Sequence, residues 1–222
     1  MAAANPNTRR AWDDFYFFQP GRRMYDRLLD WVRTMLQAEL ANGRLQNQQV
    51  RGDVIFNQFA VGQIGAQQVR TVPIGSPQIH CEEQLIRMIR QQQDEFIIYT
   101  ENFTCQMREG TERRCNCFFQ VIQLARRYPE SLVIIMYHQA YDYRNTANRG
   151  AGRQGRWEEI DLQNMNILLG NSLEGPLPQN LVFIKVDWII QGNQVQVRGM
   201  QIAGINRPRN PVVFPDHAAG GH

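Results

Sequence analysis

The run Cys117-Phe-Phe-Gln-Val-Ile-Gln-Leu-Ala-Arg-Arg-Tyr-Pro-Glu-Ser-Leu-Val-Ile-Ile-Met-Tyr137, read together with Phe96-Ile97-Ile98-Tyr99-Thr100 before it, decides the fold. Phe96 to Thr100 is a short apolar run fit for a buried strand. From Cys117 the apolar residues Phe118, Val121, Ile122, Leu124 and Ala125 recur at helical spacing, and Pro129 stops the pattern after Arg127. Leu132 to Tyr137 is a second apolar run too short for a helix. Strand, helix, strand in about forty residues is a βαβ unit, which requires parallel pairing and a right-handed crossover. The class is therefore α/β.

Working outward, His80 to Gln92 reads as the preceding helix, with Leu85, Ile86 and Ile89 inward and Glu82 and Glu83 in the first turn, where carboxylates complement the helix dipole. Val54-Ile55-Phe56 and Gln67 to Val72 read as a hairpin joined through Gly62 and Gly65. Gly21 to Ala41 carries Met24, Leu28, Leu29, Val32, Met35, Leu36 and Leu40 at helical spacing, with Asn42-Gly43 as the stop. Downstream, a helix is expected over residues 158–169 and strands over Leu181–Ile190 and Val195–Ile205, the last two turning at Gly192-Asn193. The expected organisation is an N-terminal arm (1–20, partly disordered), one domain (21–206) and a flexible tail (207–222).

The 222 residues are 43% hydrophobic and 20% charged, which suits one soluble globular domain with a sizeable core. No apolar run reaches the length of a membrane span, and residues 1–20 lack the apolar stretch of a secretory signal. The four cysteines fall between Cys81 and Cys117, a clustering that favours a metal site over a disulfide framework and an intracellular home, cytoplasmic or nuclear. Net charge is only +3, but Lys185 is the lone lysine among 24 Lys and Arg residues. Arginine makes bidentate, stackable contacts to phosphates and bases, though a GC-rich genome accounts for the same bias. No oligomeric state is legible in the pattern.

The chemistry-bearing residues are His80, Glu82, Cys105 and Cys117. One imidazole and two thiolates suit zinc, which activates a water when three protein ligands leave one position open. Glu82 sits roughly a third to half a turn from the His80 direction, placed to shuttle a proton without ligating. Cys117 opens a helix, where thiolates are favoured. Cys115 is the alternative to Cys117 as third ligand. The bland reading is that a His and a Glu at a helix start are a cap, and that free cysteines are small buried hydrophobes. Cys81 fits that description.

Ile79-His80-Cys81-Glu82-Glu83 resembles the H-x-E helix of the zinc-dependent cytidine deaminase superfamily, and Tyr99 to Cys105 is similar to the strand leading to its first cysteine. Cys117 to Tyr137 looks like the second-cysteine helix and following strand of AID/APOBEC polynucleotide cytidine deaminases; some bacterial toxin deaminases carry a related pattern. The resemblance covers roughly residues 50–140 and departs from the family in two ways. Thr104 stands where proline is preferred, and residues 106–116 separate cysteines that are usually close. It implies a three-layer α/β/α fold with a mixed five-stranded sheet flanked by helices. It also implies Zn2+ on His80, Cys105 and Cys117, with Glu82 as the catalytic proton shuttle.

The chain lacks the leucine-glutamate-proline-cysteine string of tRNA adenosine deaminases, so cytosine is the expected base. Tyr137, Tyr141, Tyr143 and Arg144, followed by Arg149, Arg153 and Arg156, interleave aromatics with arginines as base stacking and backbone contact require. Asn57 is the candidate sugar contact by analogy. The expected activity is hydrolytic conversion of cytosine to uracil in single-stranded DNA or RNA, with no membrane partner. The alternatives are a small-substrate nucleoside or nucleotide deaminase and a non-catalytic nucleic-acid-binding protein with a structural zinc.

Overall fold

The computed structural model describes residues 18–45, 59–72, 80–102, 117–139 and 178–202. Among these residues three helices, α1 (Arg23–Ala41), α2 (Cys81–Met88) and α3 (Cys117–Arg127), accompany six strands. The strands are β1 (Ala60–Ile64), β2 (Gln67–Thr71), β3 (Glu95–Asn102), β4 (Leu132–Gln139), β5 (Leu181–Gln191) and β6 (Gln194–Ile202). They form one open sheet in the order β2-β1-β3-β4-β5-β6. β3, β4 and β5 are parallel, while β1 is antiparallel to both β2 and β3, and β6 is antiparallel to β5. The βαβ unit read from the sequence is β3-α3-β4.

The uninterrupted apolar runs of β3, β4 and β5 follow from burial on both faces. Phe96, Ile98, Val133, Ile135, Leu181 and Phe183 pack under α2 and α3. Their alternating neighbours Ile97, Tyr99, Ile134, Met136, Val182 and Ile184 pack under α1. The sheet is thus covered by helices on both faces. Asn180 fastens the far end of α3, its side-chain amide donating to the Ala125, Tyr128 and Ser131 carbonyls at 3.0, 3.0 and 2.8 Å. Those carbonyls lie where the helix ends and lacks its own donors.

The expected five-stranded sheet is corrected to six. β6 turns back from β5 at Gly192, whose φ of +61° suits a tight hairpin, and completes the edge. The first hairpin is also displaced: its leading strand is Ala60–Ile64, whereas residues 54–56 lie outside the described residues. Gly62 belongs to that strand rather than to the connection. A Cβ there would stand 3.2 Å from the Leu85 methyls, so the glycine lets α2 sit close on the sheet. The α2 helix stops at Met88 rather than Gln92, because Ile89 is extended and stays inside, 2% exposed. The expected helix at 158–169, the arm up to residue 17 and the tail from 203 lie outside the described residues.

Candidate metal centre

β2 leads into α2 and β3 leads into α3, and both strands run antiparallel to β1, so they point the same way. Both helices therefore begin at the carboxyl ends of strands, where open α/β sheets place their ligands. Thr71 at the end of β2 donates its hydroxyl to the Cys81 carbonyl at 2.8 Å, which pins the start of α2 to that edge. His80 is the N-cap, with extended backbone, and its carbonyl accepts from Gln84 N at 3.1 Å. Its side chain makes no cap hydrogen bond.

The imidazole instead joins a cluster. One ligand atom each from His80, Glu82 and Cys117 lies within 4.8 Å of the others. Among the described residues this is the group of imidazole, carboxylate and thiol that can hold a metal ion. Glu82 is 5% and Cys117 0% exposed, while His80 is half-buried and gives the group its outer side. Two helix N-termini converge on it, and their partial positive charges favour a thiolate, a carboxylate and any anion held between them.

Cys81 is set apart from the cluster. It is packed in the core beneath α2, and its thiol donates to Glu82 Oε2 at 3.1 Å. Burial, and next the neighbouring Glu82 charge, push this thiol far above its ordinary range, so it remains a neutral donor. The thiol thereby occupies one oxygen of the Glu82 carboxylate and fixes its rotamer. Glu83, also buried, accepts from Arg87 Nη2 at 2.5 Å.

The structure thus brings together three of the four residues singled out from the sequence. Cys105 lies outside the described residues, three positions beyond the end of β3 at Asn102. Cys115, Asn57, Tyr141, Tyr143 and Arg144 lie outside them too, as do Arg149, Arg153 and Arg156. Tyr137 is at the carboxyl end of β4 on the α2/α3 face, 4% exposed, and burial pushes its hydroxyl up to about 12. His138, the next residue, turns to the other face against Trp188. Two positioning contacts escaped the sequence reading, the Cys81–Glu82 hydrogen bond and the Thr71 clamp. Adjacency hinted at the first, whereas the second joins residues ten positions apart in the chain. No protein-family model and no curated protein sequence matches this chain. Its chemistry is legible only in these residues.

Proposed function

We propose that the protein is a zinc-dependent hydrolytic deaminase converting cytosine to uracil in a single-stranded polynucleotide, on a cytidine deaminase-type fold. The observation that carries this reading is the convergence of His80, Glu82 and Cys117 within 4.8 Å at the starts of two helices. The donor set fits the metal. Nitrogen and sulfur suit zinc, whereas magnesium and calcium take oxygen ligands. Donor atoms within 4.8 Å of one another stand close enough to share a single ion after a small adjustment of side chains. His80 and Cys117 would hold the ion, with Cys105 from the segment after β3 as third ligand.

Bound zinc supplies Lewis acidity, which brings the deprotonation of water within reach at neutral pH. Glu82 would take one proton of the water and deliver it to cytosine N3, then carry the second, from the oxygen added at C4, to the departing amino group. Oxygen is added at C4 and the C4–N4 bond breaks, so cytosine and water give uracil and ammonia. Cys81, donating to Glu82 Oε2, would hold the carboxylate in place while lone pairs stay available for the proton. Tyr137, 4% exposed near the carboxyl end of β4, would underlie the base rather than offer an exposed stacking face. Asn57, Tyr141, Tyr143 and Arg144 would supply sugar, base and phosphate contacts.

The test is incubation of zinc-loaded protein with single-stranded DNA, RNA, cytidine and adenosine, with Glu82→Gln alongside. Cytosine-to-uracil conversion in a polynucleotide, lost in Glu82→Gln with zinc retained, is the expected result. Conversion of free nucleoside alone replaces the substrate class. One equivalent of zinc with no conversion of any substrate overturns the catalytic reading in favour of a structural metal.

A further inference from the structure

A groove of about 320 Å3 runs along the outer seam between α2 and α3. Its floor is apolar, made by Ile86, Ile89 and Leu124, all nearly buried. Its rim is basic, with Arg87, Arg90 and Arg127, and no carboxylate belongs to the lining. Glu83 engages Arg87 from the previous turn. No ion pair engages Arg90 or Arg127 among the described residues, and both are exposed. Two cations thus stand over an apolar cleft with no ion-pair partner among the described residues.

We propose that this groove seats one nucleotide of a single-stranded nucleic acid, at a site separate from the metal centre. The arginines match phosphate in charge and in fork geometry. Gln120 and Gln123, half-buried in the wall, offer amide donors and acceptors suited to a base edge. Phe119, 37% exposed, adds an aromatic surface on the same side. The volume lies at the small end of ligand pockets, about 300–1,000 Å3, and falls well short of a partner helix about 10 Å across. That size favours a nucleotide over an amphipathic peptide helix.

Placement relates the two sites. Phe119 follows Cys117 by two residues, about 200° around α3, so one faces out and the other in. Arg127 also lies ten residues beyond Cys117, about 15 Å of axial rise, so a chain held between Arg90 and Arg127 would sit toward the opposite ends of the two helices from the metal group. It would anchor flanking nucleotides rather than the reacting base.

The experiment is equilibrium binding of a fluorescent single-stranded oligonucleotide to the full chain at several salt concentrations. An abasic oligonucleotide and a poly-glutamate peptide serve as competitors. Because the readout needs no turnover, it stands or falls separately from deamination. Arg90→Gln/Arg127→Gln should weaken binding and lower the slope of log K against log salt by about 1.4, as two phosphate contacts on a single strand contribute about 0.7 each. The abasic chain should compete about tenfold less well than the ordinary one, the scale of one lost base-stacking contact. Both arginines are exposed, so a thermal melt should show the double variant folded. Unchanged affinity and slope in that folded variant would overturn the proposal. So would competition by poly-glutamate equal to that of the oligonucleotide, which would assign the groove to an acidic polypeptide.

Discussion

The two faces of the sheet both bury polar groups, but they connect them differently. Under α1, Trp188 Nε1 donates to the Tyr99 hydroxyl at 2.8 Å, and that hydroxyl donates to Glu101 Oε2 at 3.2 Å. His138 Nδ1 meets the Val186 carbonyl at 3.0 Å beside the Trp188 ring. Each contact there joins a donor to an acceptor, which is how a core makes buried polarity tolerable. Under α2 and α3, an imidazole, a carboxylate and a sulfur turn lone-pair atoms toward one point. Such an arrangement gains most from a shared cation. The first face ties its central polar groups into a chain of donor–acceptor pairs, and the second gathers three metal-competent side chains within 4.8 Å of one another.

The largest expected effect breaks the second face without touching the first. On the proposed function, Glu82→Gln should reduce deaminase turnover roughly a thousandfold, within the range for loss of a positioned acid-base group. Metal content should stay at one equivalent. If turnover survives, the carboxylate is an ordinary buried acid and the contrast between the faces collapses.

Removing the metal should separate the faces by stability. A ligand present at about a thousand times its dissociation constant stabilises the fold by about 4 kcal/mol. For a chain of this size that corresponds to a fall in Tm of roughly 10 °C when a chelator is added. His80→Ala should abolish the chelator response, while variants under α1 should keep it. Differential scanning fluorimetry with and without chelator reads all three.

Leu28→Ala probes the structural face directly. Leu28 is fully buried in the α1 core. Truncation leaves a cavity and should cost about 3 kcal/mol by urea titration. Turnover per folded molecule and the chelator response should both match the parent protein. A drop in turnover would mean that the faces are coupled through the sheet.

Much of this division was already legible in the sequence, and the exceptions have physical causes. The α3 boundaries, Cys117–Arg127, follow directly from apolar periodicity and Pro129, because both signals are local. β4 and β5 were equally plain, since burial on both faces makes Leu132–Met136 and Leu181–Ile184 apolar without a break. β1 was misplaced because Gly62 reads as a joint, and only the Leu85 methyls explain why a strand needs glycine there. His80 and Glu82 could be paired from spacing, yet their approach to Cys117 depends on how two helices dock, which no local pattern encodes. The same holds for Arg90 and Arg127, a groove's two rims in space and unrelated residues in sequence.

The smallest effect concerns how dry the functional face is at Tyr137. Burial pushes its hydroxyl from the ordinary 10.0 up to about 12. Between those values the unfolded chain has released the proton and the folded chain has kept it. The contribution is therefore complete below pH 10 and disappears as pH rises toward 12, a loss of about 3 kcal/mol. Tyr99, buried under α1 beside Glu101, is also raised and adds its own alkaline loss, so the informative quantity is the difference between the parent and Tyr137→Phe. Urea titrations at pH 9, 10 and 11 should show a gentler decline for the variant. Superimposable declines would mean that water reaches the phenol, as it would if Tyr137 were an open stacking surface for a base. The floor role and the platform role thus demand opposite answers from one hydroxyl.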